Sequence, residues 1–312
     1  MSDTTRPRKG GVLPNTLICG VTKGGTTTLW SYFRDHPQAL VARHKEVHFF
    51  DYEARYARGL AWYAREFSGY AGQQAIVDAT PAYYLIPEVP RRIRAALPDA
   101  RLILIFRNPI ERTYSNFWMG YARGRPGDSF DACVRLPQNR HLLAGSFYAK
   151  ALQRFLEVFP REQLLLLLTD ALRSDPDAVR QRCYAHAGID AAFVPGAASA
   201  GRGASEAQNI ARAPRSLRLQ RLLYRTLADK PEEELQYDAQ GNVLQREDTR
   251  ASLTGRIALQ MYHWASALNT RPAKYAPIRR ESAELLLELF RSDIERFSQL
   301  SGLDTSPWLT LK

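Results

Sequence analysis

The chain of 312 residues is poor in sulfur, with three cysteines and three methionines. Cys19, Cys133 and Cys183 are far apart and fit no metal-type spacing, which excludes a disulfide framework and a cysteine-held zinc site. No apolar run reaches the ~18 residues of a membrane span. The opening MSDTTRPRKGGVLPN is basic but has no apolar core, so no secretory signal is visible and a cytoplasmic protein is expected. There is no internal repeat. Acidic residues are the minority, 32 Asp and Glu against 43 Lys and Arg, giving a net charge of +11. That excess points to anionic partners without choosing among phosphorylated cofactors, acidic glycans, nucleic acid and acidic lipid. An ordinary basic surface fits the charge equally well. No aromatic-and-basic platform or helix-turn-helix signal supports nucleic acid.

What is present reads as a globular α/β fold. Hydrophobic residues make up 45% and charged residues 24%, ordinary for a soluble domain. Residues 1–14 read as a disordered lead-in. Strands are expected at Leu17–Gly20, Ala75–Val77, Leu102–Phe106 and Leu164–Leu168, as apolar runs without alternation, the pattern of a parallel sheet buried on both faces. Helices are expected at Thr26–Asp35 and at about Glu88–Leu97, Ile110–Arg123, Tyr148–Phe159 and Asp177–Ala187. This alternation predicts a P-loop-like three-layer fold, a central parallel sheet flanked by helices. Residues 15–312 read as one domain, with an irregular, polar insertion at about 200–260.

The segment Gly20-Val-Thr-Lys23-Gly24-Gly25-Thr26-Thr27-Thr28 follows a strand and opens a helix. Amide groups at such a helix start bind anions, and glycines let the backbone approach the ligand. The Gly20-to-Gly25 spacing copies the P-loop, but Thr26 stands where its lysine belongs and the lysine is Lys23. A phosphate site is the stronger expectation; a tight structural turn is the other. The strand ending at Phe106 runs into Arg107, which suits a second phosphate through bidentate hydrogen bonds, with Ser115 adding a hydroxyl. The ordinary alternative for Arg107 is a pairing with Glu111. Asp78 and Asp170 also end strands, which keeps open a magnesium-dependent kinase or NTPase.

Lys45-Glu46-Val-His48-Phe49-Phe50-Asp51 sets ionisable groups around apolar ones. In an extended chain Glu46 and His48 share one side and Val47 and Phe49 the other. Aromatic surroundings push a carboxylate's pKa up, as a general base requires; a solvated surface turn fits equally well.

Together with Thr80-Pro-Ala-Tyr83 and Arg107-Asn-Pro-x-x-Arg112-x-x-Ser115, these motifs resemble the PAPS-dependent sulfotransferases, in particular the heparan sulfate glucosaminyl 3-O- and N-sulfotransferases. The likeness runs over roughly residues 15–190 and more loosely from about 268. The resemblance implies a metal-free, in-line sulfuryl transfer from PAPS, leaving adenosine 3′,5′-bisphosphate. It implies that Lys23, Gly24, Gly25, Thr26, Thr27 and Thr28 hold the 5′-phosphosulfate, and that Lys23 also neutralises the leaving oxygen. Arg107 and Ser115 would hold the 3′-phosphate. Glu46 would be the base, while His48 and Asp51 would line and orient the acceptor. Arg271, Lys274 and Tyr275 would form a closing loop over the cofactor. Ala79 stands where the glycan enzymes carry a lysine, and Arg271-Pro-Ala273 replaces a lysine-glycine-arginine. The chain therefore looks like a cytoplasmic bacterial relative whose acceptor is a saccharide, a lipid or a secondary metabolite, with the 200–260 stretch shaping that site. Tyr148, Tyr262 and Trp264 are candidates to stack on adenine, packing being the more ordinary role of each.

Overall fold

Five strands form one sheet: β1 (Thr16–Gly20), β2 (Ala39–Val41), β3 (Ala75–Ala79), β4 (Arg101–Phe106) and β5 (Leu164–Leu168). Their order is β2-β3-β1-β4-β5 and every pairing is parallel. This computed structural model describes residues 11–125, 127, 129–135, 140–196, 212–228, 235–237, 243–246 and 253–311. The four strands expected from the sequence are there. β2 was not expected, because three half-buried edge residues carry no periodic signal.

The described residues fall into two compact units. The first takes in those of 1–108, 148–208 and 295–305, and the second those of 109–147, 209–294 and 306–312. The first holds the sheet. Its strands are almost wholly apolar because both faces are covered. On one face Ile18, Val77, Ile103, Ile105 and Leu167 pack with Leu29 and Phe33 of helix α1 (Thr26–Arg34) and with Val179 and Cys183 of the helix Pro176–Ala187. On the other, Phe106 meets Tyr148 and Phe297, with ring centroids 5.2 and 4.6 Å away. Each such fully buried side chain contributes about 1.5–3 kcal/mol. Val12 and Pro14 of the expected lead-in are buried; residues 1–10 lie outside the described residues.

The second unit is built on the helices Pro109–Arg123, Leu217–Leu223, Leu253–Asn269 and the first part of Arg280–Ser301. Arg212–Pro214 pairs antiparallel with Thr270–Pro272. Much of the 200–260 stretch lies outside the described residues. Within it Leu235–Tyr237 pairs antiparallel with Val243–Arg246.

Candidate active site

β1 lies inside the sheet with β3 and β4 as its neighbours, so the loop after it opens at the centre of the carboxyl edge. The Val21 amide donates to Ile105 O and the Gly24 amide to Val21 O, each at 2.9 Å, which closes a tight turn. Lys23 (φ 73°) and Gly25 (φ 112°) adopt left-handed backbone. At Gly24 a Cβ would lie 2.4 Å from Ile105 O, so only glycine fits. Gly25 caps α1 without any side-chain hydrogen bond, and the first turn of α1 carries no acid. The amide end of the helix dipole is thus left for an anion. Thr27 and Thr28 are half-buried beside it, whereas Thr26 is buried. Thr169 Oγ1 braces the turn, 2.5 Å from Gly24 O and 3.1 Å from Phe106 O. A cradle that a Cβ would fill and an uncapped, acid-free helix start fit a phosphate-bearing cofactor.

The Lys45–Asp51 loop is fixed to the end of the neighbouring β3. The Glu46 amide donates to Ala79 O (3.1 Å), the His48 amide to Thr80 Oγ1 (3.4 Å) and the Phe49 amide to the Tyr83 hydroxyl (3.1 Å). The segment is not extended throughout: Glu46 (φ 65°) and His48 (φ 55°) are left-handed, in a loop held by these hydrogen bonds to residues 79–83. The partition of side chains is nonetheless the expected one. Val47 and Phe49 are buried, and His48 Nε2 lies 3.8 Å from Glu46 Oε2. His48 Nδ1 lies 2.7 Å from Oδ2 of the buried Asp51. The buried carboxylate favours the proton on Nδ1 and turns Nε2 towards Glu46.

Lys45 Nζ sits 2.6 Å from Glu46 Oε1. Burial pushes the Glu46 carboxyl up, as its setting suggested, but the hydrogen bond to His48 and the charge of Lys45 outweigh it and hold the pKa down at about 2. The sequence left a raised pKa and a solvated turn equally open; the neighbours of Glu46 lower its pKa. Glu46 is ionised, and its free-state basicity is limited by Lys45 and His48 together.

Beneath the loop, Asp78 is fully buried and accepts from three hydroxyls. Thr80 donates to Oδ1 (2.8 Å), while Tyr63 and Tyr83 donate to Oδ2 (2.6 and 2.8 Å). Burial raises its pKa, and these hydroxyls partly offset that. Asp78 is therefore not placed as a magnesium-holding aspartate. Asp170 is half-buried, 3.4 Å from Arg173. Among the described residues no group of three or more His, Cys, Asp or Glu is gathered to hold a metal ion. The Tyr63 and Thr169 contributions carry no sequence signal: Tyr63 comes from an apolar-looking helical stretch, and Thr169 is an ordinary strand-end residue.

Arg107 follows β4 on the other side of β1, half-buried, its carbonyl accepting from the Tyr148 hydroxyl (2.8 Å). Tyr148 is otherwise packed against Phe106 and Phe297. The first unit thus gathers Lys23–Thr28, Glu46, His48, Asp51 and Arg107 at the carboxyl ends of three adjacent strands, where open α/β sheets bind ligands. Ser115, Arg271, Lys274 and Tyr275 belong to the second unit. There Ser115 lies half-buried on the helix Pro109–Arg123, and the Tyr275 ring stacks on Trp118 of the same helix at 4.3 Å and 3°. The Tyr275 hydroxyl donates to Arg212 O (3.1 Å) and accepts from its amide (3.0 Å). Arg271 and Lys274 are exposed. Buried Arg112 donates to Leu142 O (3.3 Å) and Ser146 Oγ (3.4 Å), a packing role.

The anion-fitting turn after β1 and the Glu46–His48–Asp51 array thus lie at neighbouring strand ends. The family model described as the sulfotransferase domain matches residues 13–208, and the chain belongs to that family. It is 36% identical over 173 residues to human heparan sulfate glucosamine 3-O-sulfotransferase 6, covering 52% of this chain and 48% of that one. It is 33% identical over 174 residues to the mouse 3-O-sulfotransferase 5, covering 53% and 50%. The chain spans about half the length of the curated relatives it matches. In fold it is similar to the crystal structure of a sulfotransferase from Alicyclobacillus acidocaldarius, with a TM-score of 0.65, 22% identity, and coverage of 95% of this chain and 99% of that one. A mouse sulfotransferase solved with PAP shares the fold at a TM-score of 0.50 and 14% identity, covering 93% and 86%.

Proposed function

We propose that this protein moves a sulfuryl group from PAPS to a hydroxyl or amine of a saccharide, lipid or other small acceptor. One observation carries the proposal: a phosphate cradle, an ionised Glu46 beside His48, and Arg107 stand at the carboxyl ends of β1, β3 and β4, which are adjacent. The family membership and the relatives named above support the same reaction. When bound, PAPS supplies the activated sulfuryl group. Lys23 and the amides of Gly24 to Thr28 hold its 5′ end, and Lys23 neutralises the oxygen that keeps the bonding electrons. Arg107 and Ser115 hold the 3′-phosphate, with Arg271, Lys274 and Tyr275 closing over it. Glu46 accepts the acceptor's proton as its oxygen or nitrogen attacks. Glu46 is ionised and so able to take that proton, with His48 and Lys45 beside it. His48, fixed by Asp51, orients the acceptor. No metal enters this scheme.

Calorimetry with adenosine 3′,5′-bisphosphate, and separately with magnesium–ATP, tests the reading. Tight bisphosphate binding without magnesium, lost in Lys23→Ala and Arg107→Ala, is expected. Glu46→Gln is expected to bind the bisphosphate as before and to lose turnover. Preference for magnesium–ATP overturns the reading.

A further inference from the structure

The turn after β1 requires glycine at two consecutive positions, and that requirement leaves its backbone loose. Gly24 is demanded by the approach of Ile105 O, and Gly25 by its left-handed φ of 112°. With glycine on both sides of the Gly24–Gly25 peptide, no Cβ opposes its rotation, and the unit can turn over at little steric cost. Its orientation decides what the turn can bind. The bond is trans, so the Gly24 carbonyl and the Gly25 amide point in opposite directions. With the carbonyl inward, the amide faces out at the start of α1, where an anion is received. With the carbonyl outward, an oxygen repels the same anion.

One side chain fixes the inward setting. Thr169, the first residue of the helix Thr169–Ser174 after β5, is buried, and its hydroxyl donates to Gly24 O at 2.5 Å. Among the described residues no other group donates to Gly24 O, and the Gly25 amide donates to none. The Thr169 hydroxyl also lies 3.1 Å from Phe106 O, but Phe106 is held independently by the pairing of β4 with β5, opposite Leu168. Removing the hydroxyl therefore acts on Gly24. Leu172 of the same helix backs the turn as well, since a Cβ at Gly25 would come within 2.9 Å of its Cδ2. That apolar contact supports the turn without orienting a peptide; the hydrogen bond has a direction. We propose that Thr169 is a positioning residue for the cofactor: its hydroxyl keeps the Gly24–Gly25 peptide turned so that the Gly25 amide meets the 5′-phosphate end of the ligand. For the identity of that ligand this rests on the sulfuryl-transfer reading. A buried carbonyl that loses its donor turns towards water where the chain permits it, and a Gly–Gly peptide permits it.

The test compares three variants. Thr169→Val matches the shape and removes the hydroxyl, Thr169→Ala removes it without added bulk, and Thr169→Ser keeps it. Calorimetry reads each with adenosine 3′,5′-bisphosphate and with adenosine 3′-monophosphate, which lacks the 5′ group. Both hydroxyl-free variants should bind the bisphosphate about tenfold more weakly, the usual worth of a hydrogen bond to a charged group, and the 3′-monophosphate within about threefold of the parent. Thr169→Ser should stay within about threefold of the parent for both ligands. A general loosening of the fold would weaken both ligands together and would follow the melting temperature, so the ratio of the two affinities separates positioning from stability. If the parent binds the bisphosphate and the Val and Ala variants keep its ratio, the inference is overturned and the sulfuryl-transfer reading stands. A Ser variant as weak as the Val variant overturns it equally. A parent that binds no bisphosphate overturns that reading, and the inference with it.

Discussion

Replacing Asp78 by alanine tests whether one buried carboxylate holds the acceptor-side loop in place. The substitution leaves the hydroxyls of Thr80, Tyr63 and Tyr83 without their shared acceptor. A buried donor left unpaired costs about 1–3 kcal/mol, so three give about 3–9 kcal/mol. Against that, removing an ionised group from a fully buried site returns part of a desolvation penalty of several kcal/mol. The raised pKa of Asp78 shows that this penalty is not fully offset by its hydrogen bonds. The balance is a loss of about 2–5 kcal/mol, or a melting temperature lower by about 4–20 °C at about 2–4 °C per kcal/mol. Thr80 and Tyr83 also accept from the amides of His48 and Phe49, and their anchoring helps hold Glu46 and His48 in left-handed backbone. Left-handed non-glycine residues cost about 1–2 kcal/mol each, so the loosened loop should relax. Turnover in a sulfuryl-transfer assay is then expected to fall at least about tenfold, a loss of about 1.4 kcal/mol in transition-state binding. Adenosine 3′,5′-bisphosphate affinity, governed by the loop after β1, should change less. Thermal unfolding, calorimetry and initial rates read the three quantities. A variant that melts within about 2 °C of the parent and turns over normally refutes the argument.

Gly24→Ala forces a Cβ to 2.4 Å from Ile105 O, a backbone atom that cannot rotate away, so bisphosphate binding should be lost in calorimetry while the far-ultraviolet circular dichroism is retained. The Glu46 carboxyl is held below its ordinary 4.5, so the stability it adds is present above about pH 4.5 and is lost as the pH falls towards 2. With the side chain 44% exposed this is worth only about 0–1 kcal/mol, and the melting difference between the parent and Glu46→Gln should close over that window; a difference that grows on acidification contradicts the sign. Trp118→Ala removes the ring on which Tyr275 stacks at 4.3 Å, a contact worth about 0.5–1.5 kcal/mol beyond burial. Limited proteolysis should then cut the Thr270–Tyr275 segment faster.

The sequence by itself determined the strand–loop–helix start and four of the five strands. It could do so because parallel strands buried on both faces must be apolar throughout, and because a glycine-rich turn before a helix has few other uses. It did not contain β2, whose three half-buried residues resemble any loop, nor the backbone of Glu46 and His48, whose left-handed geometry follows from hydrogen bonds to residues more than thirty positions away. The direction of the Glu46 pKa was likewise decided in three dimensions: composition supplies the aromatic surroundings that raise it, but the fold sets the distances at which His48 and Lys45 face it. Asp78 reads in sequence as a strand-end aspartate free to take a metal, and the fold closes three hydroxyls around it.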